Sequence, residues 1–407
     1  MAYREYVEKG YMPSREMMKK FLIEQIDFKR NFEVVDLYNA VDKVSAEDVK
    51  AKVVLPKLPV SKMDGIGVYF VDFKDGIPNT ENWQEGKEYI FANTGCVVPE
   101  PYDTVILIED VRFIDGKLKI LAKPETKGQL IDPPGSLIGK DEVLVNKYKK
   151  ITAPQVGLLA SGGIKEVKVI ARPKIAFIPT GDELVSWQSE DYPVDKNIES
   201  NSMMLSAFCK QYQADLTIFP IIPDDKEKIK EALTKASEIA DIILINAGSS
   251  KGTKDFTLDL LETEGEVLVY ELGCRPGKHS SFSKFNQKPV LGIAGPPNGA
   301  ELAMRFYLKV IMQAYYHQKL SSLETVNVTV DFDFTAPKNA DFCLQVHIFK
   351  QDDKYHAQII NPKGVTRATL LQKYNGFIYQ LKGTSLNVGD EVTAELIVER
   401  KEIENQN

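Results

Sequence analysis

The sequence predicts a multidomain protein: an α/β region built on a parallel sheet, an inserted β module before it, and a C-terminal β-barrel-like domain after it. Three observations carry this. Between residues 172 and 320, almost wholly apolar runs alternate with helical patterns, as parallel strands covered on both faces do. Between 56 and 140, short β-prone runs sit between glycine and proline turns. From Thr325 onward, apolar residues fall on every second position (Val326, Val328, Val330, Phe332, Phe334), the period of a half-buried strand.

The 407 residues leave room for several domains. Texture divides them into a split linker domain (1–50 and 141–172), the β module (51–140), the α/β domain (173–322) and the C-terminal β domain (323–407). Met17, Met18, Phe21, Leu22 and Ile26 recur at helical spacing behind Ser14, a residue type that caps helices. A second short helix is expected over Val35 to Val41, and a helix followed by a strand over Ser45 to Val54. In the β module, the runs at 68–71, 104–108 and 118–121 read as strands. Ala153 to Ser161 reads as a helix stopped by Gly162-Gly163. The α/β domain then gives strands at Lys174–Pro179, Leu216–Ile222, Asp241–Asn246 and Pro289–Ala294. Helices are expected at Asn201–Tyr212, Asp225–Ala240 and Gly299–Tyr316. Turns at Asp352-Asp353, Asn375-Gly376 and Gly389-Asp390 punctuate the C-terminal strands.

Composition excludes several function classes. A net charge of -7 argues against a long nucleic-acid footprint, which wants a basic stripe. No run approaches the roughly 20 apolar residues that span a bilayer, and no apolar signal core opens the chain, so no membrane partner is expected. Cys96, Cys209, Cys274 and Cys343 lie far apart without a CxxC pair, the pattern of reduced thiols in a cytoplasmic protein. The 4 histidines are scattered, which disfavours a histidine-based metal site.

Three chemistry-bearing segments, at 180–183, 248–255 and 295–298, directly follow strand ends, where ligands of open parallel sheets bind. Thr180-Gly181-Asp182-Glu183 offers carboxylates suited to a cation, although acids at such a place can simply start a helix. The stretch Gly248 to Asp255 offers backbone amides for an anion but lacks the ending of a Walker loop. Arg275-Pro276-Gly277-Lys278 puts two cations around a rigid turn, and Gly295-Pro296-Pro297-Asn298 joins a strand to a helix. Ser61-Lys62-Met63-Asp64-Gly65 and Asp224-Asp225 add acids that a turn or a helix cap would equally explain.

Taken in order, these segments resemble the molybdopterin molybdenumtransferase family, which includes the E domain of gephyrin. "SKMDGIGV" (61–68) resembles S-x-MDGYAV, "IAFIPTGDELV" (175–185) resembles STGDELV, and "NTGCVVPEPYDTVILIED" (93–110) resembles TGA-x-VP-x-G-x-DTVV. "NAGSSKGTKDF" (246–256) is similar to SGG-x-S-x-GD-x-D, "RPGKHSSF" (275–282) to KPGKP-x-x-F, and "LGIAGPPNGA" (291–300) to GLPGNPVSA. The resemblance implies insertion of molybdenum from molybdate into adenylylated molybdopterin, with release of AMP and with Mg²⁺ or another divalent cation. It implies an elongated homodimer, paired through the split domain, whose cleft lies between the α/β domain of one subunit and the β module of its partner. A molybdopterin adenylyltransferase is implied as the upstream partner. By the same resemblance Asp64, Glu183, Asp224 and Asp255 are the site acids, with Asp64, Glu183 and Asp255 at the metal. Thr94, Thr180, Gly181, Gly248, Ser250, Arg275, Pro276, Gly277, Lys278 and Pro297 fall in the pterin-nucleotide region.

The chain departs from this pattern in particular places. "LIDPPGSL" (130–137) stands where the family carries N-x-R-x-x-GED, and Glu271 stands where it carries a lysine upstream of the PGK turn. Arg275 replaces the first lysine of KPGK, Pro296 the asparagine of PGNP, and "PKGVTR" (362–367) a QGSG-like turn. Three readings follow: a diverged molybdenum-inserting enzyme, a paralogue that binds molybdopterin nucleotide without turnover, or a purely structural scaffold, against which the intact Thr180–Leu184 stretch argues.

Overall fold

The computed structural model describes residues 12–247, 256–319, 322–360 and 366–405. Two compact units form, one of Met1–Asn31 with Ala171–Asn407 and one of Phe32–Ile170. The first helix, α1 (Arg15–Gln25), starts at Ser14, whose side chain accepts from the Met17 amide at 3.3 Å. It buries Met18, Phe21 and Leu22, the spacing read in the sequence. Its Arg15 is buried and paired with Glu395 at 3.0 Å, so α1 packs within the first unit.

In the second unit, β1 (Phe32–Asp36) is a strand where the sequence suggested the start of a helix. A short 3-10 turn, Leu37–Asn39, follows and is capped by Asp36. Local propensity yields here to a remote partner, because β5 (Glu166–Ile170) pairs antiparallel with β1 residue for residue. Ser45–Val54 likewise holds no helix: Ser45 bridges Val169, and Val49–Lys50 pairs with Val143–Val145. Between these, β2 (Gly65–Val68) is the centre of an antiparallel sheet flanked by β3 (Ile90–Ala92) and β4 (Thr104–Leu107). A core of Ile66, Val68, Phe73, Ile106 and Leu118 backs it. α2 (Ala153–Ser161) begins with a Thr152–Gln155 capping box and ends at Gly162, as its sequence suggests.

The first unit resumes with β6 (Lys174–Ile178), α3 (Asn201–Gln211), β7 (Asp215–Ile218), α4 (Lys226–Ile239) and β8 (Ile242–Ala247). It continues with α5 (Phe256–Glu264), β9 (Glu266–Val269), the two-residue strand β10 (Cys274–Arg275), β11 (Ser281–Phe285) and β12 (Lys288–Ala294). The sheet order is β7-β6-β8-β12-β11-β9. The first four strands are parallel, as expected, and are covered by helices, which is why Ile175, Phe177, Ile243, Leu244 and Leu291 are buried. The antiparallel extension β11–β9 and helix α5 are additions to the sequence-based picture. The long helix expected over 299–316 runs from α6 (Pro297–Leu302) through a π segment, Ala303–Leu308, into α7 (Lys309–Tyr315).

Five strands close the C-terminal barrel: β13 (Thr325–Val330), β14 (Asp341–Gln351), β15 (Lys354–Ile359), β16 (Gly376–Gln380) and β17 (Glu391–Leu396). Pairing runs β14-β15-β13-β17-β16 and returns from β16 to β14, so no edge of the cycle is left open. Alternate residues Val326, Val328 and Val330 meet Val346, Ile348, Ile378 and Leu396 inside. Short helix α8 (Arg367–Lys373) sits between β15 and β16. β10 pairs in parallel with β14, Cys274 against Asp341 and Arg275 against Phe342, which ties the Arg275–Lys278 turn to the barrel.

Candidate functional site

The carboxyl ends of β6, β8 and β12 lie side by side, because Ile178 is level with Ile245 and Asn246 is level with Ile293. Everything that follows these strands therefore emerges at one edge of the sheet, where open parallel sheets receive ligands. After β6, the Thr180 hydroxyl donates to the Asn246 carbonyl at 3.2 Å, and the Asn246 amide donates back to the Thr180 carbonyl at 3.5 Å. This pair joins Thr180, just past β6, to β8.

Gly181 comes next, with φ +140, and its amide donates to the Ile222 carbonyl at 3.1 Å. A Cβ there would stand 2.5 and 2.6 Å from the Glu183 carboxylate oxygens, so glycine lets that carboxylate fold back over the backbone. No helix begins here; the chain continues into the short strand Leu184–Ser186, which removes the helix-start explanation of these acids. The Asp224 amide donates to Asp182 at 3.2 Å, and Lys196 donates to the Asp182 carbonyl. Glu183 and Asp224 thus belong to two loops bonded to each other, and both residues are exposed. Asp225, beside Asp224, caps α4 by accepting from the Lys228 amide.

The third strand end builds a cavity. Gly277, with φ +100, lies so close to Gly299 that a Cβ on it would meet the Gly299 carbonyl at 2.9 Å. The reciprocal Cβ on Gly299 would stand 2.8 Å from the Gly277 Cα. Two glycines facing each other let the Pro276–Lys278 turn press onto the first turn of α6. Beside this contact opens a cavity of about 520 Å³ walled by Pro276, Lys278, His279, Pro296, Asn298 and the α8 residue Leu370. Pro297 occupies the first turn of α6 one residue from that wall. Arg275 sits in β10 with its Nε buried and without a hydrogen-bond partner among the described residues.

Asn201, at the start of α3, ties the same edge together. It is buried and donates to the Gly295 carbonyl at 3.0 Å, while its Oδ1 has no partner among the described residues. Buried Glu199 accepts from the Ser202 amide at 3.0 Å. Sequence reasoning passed over Glu199 and Asn201, it selected neither His279 nor Gly299, and it placed Asn298 only at a strand–helix junction. The available signal was Glu199-Ser200-Asn201-Ser202, a polar cluster set directly before an apolar helix.

Asp64 and Thr94 belong to the other unit. Asp64 precedes β2 and Thr94 follows β3, and the Gly65–Ala92 pairing brings them together. The Thr94 amide at 2.7 Å and its hydroxyl at 3.0 Å both donate to Asp64 Oδ1. These bonds, the amide first, hold the Asp64 carboxyl below its usual range. Gly248, Ser250 and Asp255 lie outside the described residues. Among the described residues no three acids, histidines or cysteines come close enough together to hold a metal ion. All four cysteines are free, and burial pushes the Cys209 thiol up to about 12. No helix of the described residues is long and apolar enough to cross a membrane.

Comparison with known proteins agrees with this architecture. Residues 13–163 match the MoeA N-terminal region (domain I and II), and residues 176–313 match the probable molybdopterin binding domain. The chain is 30% identical to a putative molybdopterin biosynthesis protein of Methanocaldococcus jannaschii, over 74% of this chain and 80% of the relative. It is 26% identical to the molybdopterin molybdenumtransferase of Haemophilus influenzae, over 92% of this chain and 96% of that protein. A crystal structure of the molybdopterin biosynthesis protein moeA from Pyrococcus horikoshii superposes with a TM-score of 0.72 at 23% identity, covering 95% of this chain and all (100%) of that one, a likeness of fold. Two family domains in their expected order, and relatives matched over most of their length, place this chain in the molybdopterin molybdenumtransferase family of molybdenum cofactor biosynthesis.

Proposed function

We propose that this protein inserts molybdenum from molybdate into adenylylated molybdopterin and releases AMP. One observation carries the reading: three adjacent parallel strands end at a single edge, and the Gly277–Gly299 contact there builds a cavity with Lys278 in its wall. An adenylylated pterin joins two phosphates in an anhydride, and release of AMP breaks that P–O bond as a water oxygen forms a new bond to phosphorus and gives its proton to solvent. Lys278 suits the leaving phosphate, whose charge grows as the bond breaks. Glycine backbones allow the close approach that phosphate binding needs. Thr180, Gly181, Glu183 and Asp224 form the acidic loops on the same edge, whose carboxylates would orient molybdate only through a cation held between them and the anion. Removal of one such electrostatic group costs about 10²–10³ in rate.

A divalent cation such as Mg²⁺ forms part of the proposal through the resemblance alone. The described acids do not by themselves make its site, and no bond-breaking step here runs through it. Asp64 and Thr94 enter the proposal as a pre-paired acid and hydroxyl of the second unit. The proposal also includes a homodimer and an upstream molybdopterin adenylyltransferase; light scattering and a coupled assay test these two.

The deciding experiment supplies adenylylated molybdopterin and molybdate and quantifies AMP. The wild type should release AMP, and Lys278→Ala and Glu183→Ala should each release it at least 100-fold more slowly, about the loss of one electrostatic group. Equal release by wild type and Glu183→Ala refutes the assignment of the acid loops. Nucleotide binding without any AMP release favours the paralogue that binds without turnover.

A further inference from the structure

Two departures from the family pattern touch each other. Glu271 stands where the resemblance expects a lysine, and His279 stands at the proline of KPGKP. The loop that holds them closes on itself: the Leu272 amide donates to the Ser280 carbonyl at 2.7 Å, and the Ser280 amide to the Gly277 carbonyl at 2.9 Å. This brings the neighbours 271 and 279 together, with His279 Nδ1 3.7 Å from Glu271 Oε1. That is an ion-pair separation, and both side chains are largely covered, at 31% and 19% exposure.

We infer that Glu271 and His279 act as one specificity-determining pair that makes phosphate binding in the Lys278 cavity depend on proton uptake. The inference rests on the functional reading of that cavity given above. His279 and Lys278 are the charged or titratable side chains of the cavity wall among the described residues. β12 contributes Ala294 to the wall, α6 contributes Asn298 and Gly299, and the start of α8 contributes Thr366 and Leu370, all uncharged. Arg275 and Glu271 are the other charged groups of the turn itself. With His279 neutral, the Glu271 carboxylate offsets one of the turn's two cations, Lys278 and Arg275, and an arriving anion meets a single net positive charge. With His279 protonated, the pair cancels internally and both cations are left uncompensated, beside an imidazolium that faces the ligand. Anion binding therefore draws a proton onto His279. Relatives with a fixed lysine would have no such dependence.

ADP-ribose is the probe. It carries a pyrophosphate diester whose charge stays constant across neutral pH, so the ligand itself adds no titration. Calorimetry at pH 6 and pH 8, in two buffers of different ionisation enthalpy, reads affinity and proton uptake together. Since histidine titrates near pH 6.5, binding should be on the order of tenfold tighter at the lower pH, with fractional proton uptake between. His279→Gln should abolish both the pH dependence and the uptake. Glu271→Lys should bind tightly at pH 8 and flatten the profile; this second variant tests the pair from its other side. An unchanged profile and unchanged uptake in His279→Gln overturn the inference while leaving the cavity reading intact. ADP-ribose that binds at neither pH to the wild type overturns the cavity reading and the inference with it.

Discussion

The contact between Gly277 and Gly299 makes a demand that a single methyl group can test. Gly299 lies in helix α6, where alanine is normally the better residue by about 1 kcal/mol. Here a Cβ would stand 2.8 Å from the Gly277 Cα, 2.9 Å from the Ala294 Cβ and 3.1 Å from the Gly277 nitrogen. Carbon atoms prefer separations of roughly 3.5–4.0 Å, so something must retreat by more than half an ångström. None of the three neighbours is the free end of a flexible side chain. Overpacking of this kind costs typically 1–3 kcal/mol, and the helical gain offsets part of it. Gly299→Ala should therefore lose about 1–2 kcal/mol of stability. Because Lys278 is bonded to the residue that must move, ADP-ribose affinity should fall about tenfold, the equivalent of about 1.4 kcal/mol. Gly295→Ala is the matched control, since its Cβ meets nothing within 4 Å among the described residues. Urea unfolding, with calorimetry to separate the transitions of the two units, reads the stability. Equal stability and equal affinity in Gly299→Ala and Gly295→Ala would refute the reasoning.

Three further outcomes follow from the same geometry. Gly181→Ala places a Cβ 2.5 Å from the Glu183 carboxylate at a backbone φ of +140, so it should displace the acid and slow AMP release at least tenfold; a rate equal to wild type would show that Glu183 need not sit there. Thr94→Val removes the hydroxyl donor to Asp64 but keeps the stronger amide bond, so the depressed Asp64 pKa should rise part of the way towards its ordinary value. The acid limb of the activity profile should then move to higher pH, and the folded-state advantage of the carboxylate, held above about pH 3.9 and lost as pH falls through the folded value, should shrink, as carboxyl NMR titration would show. Arg15→Ala strands Glu395 and strips α1 from the barrel, which should cost about 3 kcal/mol in urea unfolding, at the low end for a broken buried pair because Glu395 is 21% exposed.

The inner strands of the parallel half of the sheet were legible because they are buried on both faces. Lys174–Ile178 and Ile242–Ala247 are apolar in nearly every position and cannot be mistaken for half-exposed strands. The helix caps were legible for a local reason: Ser14 and Asp225 each bond an amide three residues ahead. The failures share the opposite cause. Phe32–Asp36 is a strand because Glu166–Ile170 lies beside it, and no window around residue 35 contains that fact. β9 and β11 are short, and they become strands in turn, β11 by adding to β12 and β9 by adding to β11, edges their own residues do not announce.

The same distinction governs the site. Residue type and chain neighbourhood pointed to Gly277 and Lys278, because a glycine beside cations after a strand is a local signal. The need for Gly277 lies elsewhere, in the backbone of Gly299, and Gly299 looks like an ordinary helical glycine until the two are seen to face each other. Glu271 and His279 extend the point from shape to charge. Taken singly, each departure weakens the anion site: a lost lysine in one case, a histidine for a rigid proline in the other. Seen 3.7 Å apart, they compensate, because the imidazole needs a proton to balance the acid and a bound phosphate favours that proton. A departure from a family pattern is thus evidence of lost function only after its spatial neighbour is known, and here the neighbour is itself a departure.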